Sequence, residues 1–325
     1  MKKGTKIIII GFGSIGQRHA TNLYNLGYTN INFFDVSKKL YYKDFLPQVF
    51  KTQEFRIDKL DLNTLKQFDV AFICSPNHLH IKHALQCAQA NCHLFIEKPL
   101  SHNLKDITKL QKICQQKKLI NMIGCNMRFY PCLKFIKSYL TKKKLGKVYA
   151  INHECGYYLP NWRPGTDYRK NFAAHKSMGG GIILDDIHEF DLLFWLNDFA
   201  PVKDSKFIYD RLGSLKIDTE DFSIASFKFA NKVLGSVQSD YLQQSRTRTC
   251  KVIGQLGNLE WDIRRDIVWR HQDKHSQKLY QMKKYDINQM YIDEVKYFFN
   301  CISKKEQTFN NLKIATQVLE YCVKK

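Results

Sequence analysis

Apolar residues in the first third of the chain come in short, almost unbroken runs set between segments of helical period. Residues 6–10 predict a strand, followed by a glycine turn and a helix that runs through Leu26 and stops at Gly27. A second strand at 31–34 closes on Asp35. Residues 69–74 predict a third, stopped by Ser75-Pro76 and followed by a helix over 78–90. A strand at 92–96, a helix at 104–117 and a strand at 119–124 continue the alternation. Strands apolar throughout, alternating with helices, predict a doubly wound Rossmann-type parallel sheet covered on both faces.

The pattern changes after Cys125. Longer segments with period-two alternation follow at 147–157, 203–209, 221–229, 233–241, 247–253, 259–263 and 267–271, separated by turn residues such as Asn231 and Gly257-Asn258. They predict a large, open, mostly antiparallel sheet. Helices are expected at 181–196, 289–303 and 312–323. With 325 residues the chain is long for one core. The expected division is a Rossmann domain over 1–124 and a catalytic and oligomerisation domain over 125–325.

Hydrophobic residues make up 44% and charged residues 25%, the balance of a globular chain rather than a disordered or fibrous one. The start, Met1-Lys2-Lys3 and then Ile7 to Ile10, resembles a secretory signal only superficially, because its apolar stretch runs directly into a glycine motif. No apolar run reaches the length that spans a bilayer. Ten cysteines are scattered without a Cys-x-x-Cys pair, and several, such as Cys74, Cys114 and Cys322, sit in apolar segments. They read as reduced, buried thiols of a cytoplasmic protein. Cys87, Cys92 and His93, with His78, His80 and His83 upstream, lack the spacing of a zinc site, so no metal is expected. The net charge of +21 is mostly lysine spread along the chain, as at Lys142-Lys143-Lys144. Without a nucleic-acid-binding signature it reads as a solvated surface whose field favours anionic ligands.

Gly11-Phe12-Gly13-Ser14-Ile15-Gly16 is a Gly-x-Gly-x-x-Gly motif that follows a predicted strand and opens a predicted helix. Asp35 lies nineteen residues beyond its last glycine, at the end of the second strand. That context is the one dinucleotide binding requires. Gly11 permits the tight turn, Gly13 lets backbone N–H groups approach a pyrophosphate, and Gly16 lets helix and strand pack closely. The helix amino terminus offers its partial positive charge to the phosphates. A carboxylate at Asp35 suits the ribose hydroxyls of NAD and repels a 2′-phosphate. Lys38 and Lys39 nearby leave NADP open.

Three further segments fall just after predicted strands, where an open α/β sheet lines its ligand crevice. They are Ser75-Pro76-Asn77-His78-Leu79-His80, Glu97-Lys98-Pro99-Leu100 and Gly124-Cys125-Asn126-Met127-Arg128-Phe129. A lysine at such a strand end, Lys98, suits a developing alkoxide. Arg163 and Arg169 lie in a loop with Trp162 and Tyr168 ahead of the helix at 181–196. Two arginines there suit a carboxylate or phosphate on a substrate, and the aromatic rings could stack on a sugar face.

Taken together, these segments and the stretch Gly179-Gly180-Gly181-Ile182-Ile183-Leu184-Asp185-Asp186-Ile187-His188-Glu189-Phe190-Asp191 resemble the Gfo/Idh/MocA oxidoreductases, the family of glucose-fructose oxidoreductase and inositol dehydrogenase. The resemblance covers essentially the whole chain. It implies that Gly11, Phe12, Gly13, Ser14, Ile15, Gly16, Asp35, Ser75, Pro76, Asn77, His80, Glu97, Lys98 and Asn126 serve the cofactor. It further implies Lys98, His188 and Asp185 as catalytic residues, with Arg128, Arg163, Tyr168 and Arg169 at the substrate. Many members carry the aspartate four residues before the histidine, where this chain has Leu184. The three-residue spacing of Asp185 and His188 is similar to a subgroup associated with bacterial surface-sugar biosynthesis, as are Tyr158-Leu159-Pro160, Trp162-Arg163-Pro164-Gly165 and Asp167-Tyr168-Arg169.

The implied chemistry is hydride transfer between a nicotinamide and a hydroxyl-bearing carbon of a sugar, cyclitol or nucleotide sugar. His188 would move the hydroxyl proton, Lys98 would steady the oxygen and hold the histidine neutral, and Asp185 would orient one of the two. One predicted helix over 181–196 would put Asp185 and His188, at i and i+3, on a common face. Two other functions share the fold: a non-catalytic dinucleotide-binding regulator, and a glycosidase that uses NAD transiently. A homodimer or homotetramer is expected, because both faces of 221–229 carry apolar residues, Phe222 and Ile224 on one and Phe227 and Phe229 on the other.

Overall fold

A computed structural model describes residues 4–37, 42–51, 53–163 and 165–324. The chain forms two compact units, Met1–Cys125 with Asn288–Leu319, and Asn126–Ile287 with Glu320–Lys325.

In the first unit the apolar runs become β1 (Ile7–Ile10), β2 (Ile31–Phe34), β3 (Val70–Ile73), β4 (His93–Glu97) and β5 (Asn121–Gly124). They pair in parallel in the order β2-β1-β3-β4-β5. Every residue of β1, β3 and β5 is buried, as a sheet covered on both faces requires. The helices between strands are α1 (Ser14–Asn25), the short α2 (Leu62–Leu65), α3 (His80–Gln89) and α4 (Ile107–Gln116).

The second unit opens with α5 (Pro131–Thr141) and β6 (Val148–Gly156), then α6 (Leu159–Trp162), α7 (Ile182–Asp185) and α8 (Ile187–Leu196). β7 (Val202–Asp210), β8 (Phe222–Phe229), β9 (Leu234–Asp240), β10 (Thr247–Gly254), β11 (Gly257–Asp262), β12 (Ile267–Gln272) and β13 (His275–Gln281) follow. With β6 they make one eight-stranded sheet, β13-β12-β11-β10-β6-β9-β8-β7, in which only β6 and β9 run parallel. This is the mostly antiparallel sheet expected from the alternation. On its inner face Phe190 and Phe194 of α8 pack against Phe207, Phe227 and Phe229. On its other face Ile208 and Ile224, paired across β7 and β8, are 74% and 43% exposed.

α9 (Asn288–Lys304) and α10 (Leu312–Val323) complete the chain. Here the structure corrects the expected division, since 288–319 belongs with the Rossmann unit and not with the second. Phe298 and Phe299 of α9 pack on Phe72, Phe95 and Tyr28. Between the two helices Asn310 exchanges backbone and side-chain hydrogen bonds with Ile123, and Thr308 Oγ1 donates to Asn121 O at 2.7 Å. The returning chain thereby covers the β5 edge that a five-stranded sheet would leave unpaired.

Candidate active site

The glycine loop has the three properties its spacing implies. Gly11 sits at φ +93°, and a Cβ there would lie 2.6 Å from the backbone of Cys74 and Ser75. At Gly16 a Cβ would fall 2.1 Å from Gly11 O. At Gly13, the residue before α1, a Cβ would meet nothing within 4 Å. No side chain caps the helix, and Gly13 and Ser14 are exposed while Ile15 is half-buried. Backbone N–H groups of the first turn thus face open space, which suits an anion. The Phe12 ring points away and stacks on Phe33 at 3.8 Å.

Asp35 braces this loop as well as flanking it. Its Oδ2 accepts from Phe12 N at 2.7 Å and its Oδ1 from Ser37 N at 2.8 Å, while the residue stays half-exposed. Lys38 and Lys39 lie outside the described residues. The residues present therefore fit a dinucleotide.

At the ends of β3 and β4 the sequence-predicted residues mostly hold one another. Both ring nitrogens of His80 lie 2.7 Å from backbone carbonyls, Nδ1 from Pro99 and Nε2 from Ser75. This histidine ties two loops together and has no nitrogen left for a ligand. His83 Nδ1 is 2.9 Å from Ser75 Oγ. Pro76 leads into a short turn, Asn77–Leu79, whose Asn77 is buried. Glu97 is buried against His19 Nε2 at 2.6 Å, and its other oxygen accepts from Lys98 N at 3.3 Å. Glu97 and His80 thus fix the backbone on either side of half-buried Lys98.

In the second unit the helix expected over 181–196 is two helices. Asp186, at φ −93° and ψ 28°, ends α7 and precedes α8, so Asp185 and His188 stand on different helices and not on one continuous face. The glycines before α7 are needed by close approach. A Cβ at Gly180 would lie 2.2 Å from Phe172 O, and one at Gly181, φ +103°, 2.5 Å from Glu220. Asp185 is buried, and its Oδ2 accepts from the hydroxyls of Tyr157 and Tyr241, each at 3.1 Å. Burial, then the Asp185 and Asp186 charges, hold both phenols well above the ordinary tyrosine range, so both remain O–H donors. His188 is half-buried.

Beneath these residues lies a buried charge cluster. Arg248 Nε is 2.9 Å from Glu189 Oε1, its NH2 is 3.8 Å from Asp186, and His153 Nδ1 is 3.4 Å from Glu189 Oε2. None of it was anticipated. The available signal was Arg248 itself, since the alternation of β10 places it on the face of Cys250 and Val252, and an inward arginine calls for buried acids. Tyr157 and Tyr241 were read only as the last residues of their strands.

The expected substrate residues fare unequally. Arg128 is 2% exposed, and its Nε and NH2 donate to the two oxygens of Asp191 at 2.8 and 2.5 Å, beside Phe199. A bidentate buried pair fixes α8 to the turn Asn126–Phe129 and commits Nε and NH2 to it. Asn126 is buried there, with no hydrogen-bond partner for its Oδ1 among the described residues. Arg163 is exposed. Arg169 is exposed but forked onto Asp167 at 2.8 Å, and the Tyr168 hydroxyl accepts from Lys216 N at 3.1 Å. The Trp162 ring lies 4.3 Å from that of Tyr157, tilted by 31°, with the Arg246 guanidinium 5.3 Å from its centroid. Pro164 lies outside the described residues. Among the described residues no cluster of three or more metal-binding side chains occurs, and no helix is long and apolar enough to cross a membrane.

Residues 5–125 match the oxidoreductase family GFO/IDH/MocA, NAD-binding Rossmann fold, and residues 133–260 match a C-terminal domain of the same family. The chain belongs to the GFO/IDH/MocA oxidoreductases. Among curated relatives, levoglucosan dehydrogenase of Pseudarthrobacter phenanthrenivorans is 26% identical over 220 residues, 60% of this chain and 56% of the relative. Myo-inositol 2-dehydrogenase of Thermotoga maritima is 27% identical over 188 residues, 58% of this chain and 53% of the relative. The match thus spans little more than half of these relatives. A solved levoglucosan dehydrogenase with NADH and levoglucosan superposes with TM-score 0.83 at 17% identity, covering 99% of this chain and 96% of that one. UDP-N-acetylglucosamine 3-dehydrogenase of Acidithiobacillus ferrooxidans gives 0.78 at 19%, covering 98% and 96%. At such identities the superpositions establish the shared fold.

Proposed function

We propose that this GFO/IDH/MocA protein is an NAD-dependent dehydrogenase acting on a CH–OH group of a sugar, cyclitol or nucleotide sugar. The observation that carries the reading is the glycine loop, closed to a Cβ at Gly11 and Gly16 and open at Gly13. That cradle, with Asp35 beside it, would hold the pyrophosphate and ribose of the cofactor, which when bound supplies the hydride acceptor or donor. Ser14, Ile15 and Asn77 would flank it, and Asn126 Oδ1 would accept a hydrogen bond from cofactor or substrate. Lys98, its backbone fixed by Glu97 and His80, would steady the oxygen of the reacting carbon. His188 would take the hydroxyl proton. Asp185, held by two phenol hydroxyls, would orient the lysine or the histidine. Arg163 and Tyr168 would lie along the substrate, with Trp162 against a sugar face.

Support for the substrate class comes from the relatives, named as dehydrogenases of levoglucosan, myo-inositol and D-glucoside, and from the Asp185–His188 spacing of the surface-sugar subgroup. A cytoplasmic setting accords with ten buried free thiols. The test is a panel of sugars and nucleotide sugars, followed by NADH absorbance, for the wild type, Lys98→Met and His188→Ala. Each variant should lose about 10²–10⁴ in turnover while its NAD affinity is kept. NAD binding with no turnover on any sugar would favour a regulator. Release of a free sugar without net NADH would favour a glycosidase. Full activity in either variant would remove that residue from the mechanism.

A further inference from the structure

The second unit holds a cavity of about 360 Å³, within the range of small-molecule sites. Four cations converge on it, Arg246, Arg264, Lys283 and Lys284, against the single carboxylate of Asp266. Arg264 is neutralised by Asp262, with NH2 2.9 Å and Nε 3.2 Å from its oxygens. Asp266 is engaged too, since its Oδ1 accepts from the Tyr130 hydroxyl at 2.7 Å. Arg246, Lys283 and Lys284 are exposed and form no ion pair among the described residues. The cavity therefore carries two positive charges in excess. Its apolar wall is Ile263, Met282 and the T-shaped pair of Tyr130 and Tyr285, whose centroids lie 5.6 Å apart.

The cavity is also linked to the acid of the candidate active site. Arg246 lies over Trp162, the Trp162 ring packs against Tyr157, and Tyr157 donates to Asp185. A ligand spanning this line would place an anionic group among the cations and a sugar beside Trp162. We propose that the cavity binds the diphosphate of a nucleoside diphosphate sugar. Two negative charges on the diphosphate match the excess of two, and the tyrosines and Ile263 offer a wall for the base. A plain sugar or cyclitol would leave these cations without a counter-charge. This assignment rests on the sugar-dehydrogenase reading and narrows it to one substrate class.

Pyrophosphate chemistry also occurs in the dinucleotide cofactor, so the experiment must separate the two sources. UDP is titrated into the protein with intrinsic tryptophan fluorescence as the signal, and NADH is titrated separately. The double variant Lys283→Met, Lys284→Met is compared with Lys142→Met, Lys143→Met, which removes equal charge from an exposed lysine run elsewhere. UDP should bind the wild type and weaken by about tenfold or more in the first variant, and by less than about twofold in the second. NADH affinity should be the same in all three. No UDP binding to the wild type, equal loss in both variants, or a parallel loss of NADH affinity in the first would each overturn the proposal. Binding needs no turnover, so this outcome is independent of the activity panel. A chain that oxidises plain sugars yet ignores UDP would keep the dehydrogenase reading and lose this one.

Discussion

Replacing Asp186 by asparagine removes one ionisable group from the buried charge cluster under the candidate active site. Asp186 is 4% exposed, and burial lifts its carboxyl to about 7, with Glu189 and Asp185 pushing the same way and Arg248 opposing them. In the unfolded chain the same group titrates near 4. The folded state therefore binds this proton more tightly than the unfolded state. Its stabilising contribution is complete below about pH 4, falls as the pH rises, and is lost once the pH passes about 7. Between pH 5 and pH 8 the loss amounts to roughly 2–3 kcal/mol. All four tryptophans, Trp162, Trp195, Trp261 and Trp269, lie in the second unit, so urea unfolding followed by tryptophan fluorescence reports that unit alone. On going from pH 5 to pH 8 the wild type should lose about 2–3 kcal/mol more than Asp186→Asn. Carboxylates remote from this cluster titrate alike in both proteins and cancel in the difference. Identical pH dependence in the two, or a variant that loses more than the wild type, would refute the reasoning.

Gly16→Ala should abolish measurable NADH binding, because its Cβ would meet a backbone oxygen at 2.1 Å that no side-chain movement can relieve; isothermal calorimetry showing affinity within about threefold of wild type would contradict this. Asp35→Ser should narrow the preference for NAD over NADP and weaken both, since the same carboxylate also holds Phe12 N and Ser37 N. Titration of the two cofactors distinguishes that from a purely ribose-reading role, which would leave NADP affinity unchanged or improved. The exposed pair Ile208 and Ile224 on the open sheet face should be covered by a second copy of the chain, so Ile208→Lys with Ile224→Lys should lower the mass measured by light scattering; a wild-type monomer at micromolar concentration would end that expectation.

The elements most legible in the sequence were those whose burial is uniform. β1 and β3 are apolar at every position because both faces are covered, and their β-branched residues and bounding turn signals mark them as strands. β13 carried no such mark. Its residues, His275–Gln281, are polar or exposed almost throughout, because an edge strand buries little and is formed by backbone pairing with β12. α5 was readable, with Cys132, Leu133, Ile136 and Tyr139 buried at helical spacing, yet no helix was assigned to it. The break at Asp186 was hidden for the opposite reason. α7 and α8 are buried on nearly all sides, so no polar stripe marks where one ends and the other begins. Helix 288–304 was correctly placed along the chain but given to the wrong unit, since an amphipathic pattern says that a helix covers something and not what it covers.

The site divides along the same line. Glycine positions were decipherable because their requirement is local: a turn, an open approach, a close packing, each set by a handful of neighbouring atoms. Arg128 was not, because its role depends on Asp191, 63 residues away, and an arginine in a motif looks the same whether it faces a ligand or a buried acid. Long-range pairing of this kind also fixes Asp185 in place for the reaction proposed above. A buried carboxylate on a four-residue helix would be free to turn unless something outside that helix held it. Tyr157, at the end of β6, and Tyr241, just beyond β9, both direct their hydroxyls to the same oxygen. β6 and β9 are the one parallel pair in the sheet, so their carboxyl ends lie side by side and bring the two phenols together. A fully antiparallel sheet would have sent one of them to the opposite edge. The single departure from antiparallel pairing thus positions the acid on which the proposed chemistry depends.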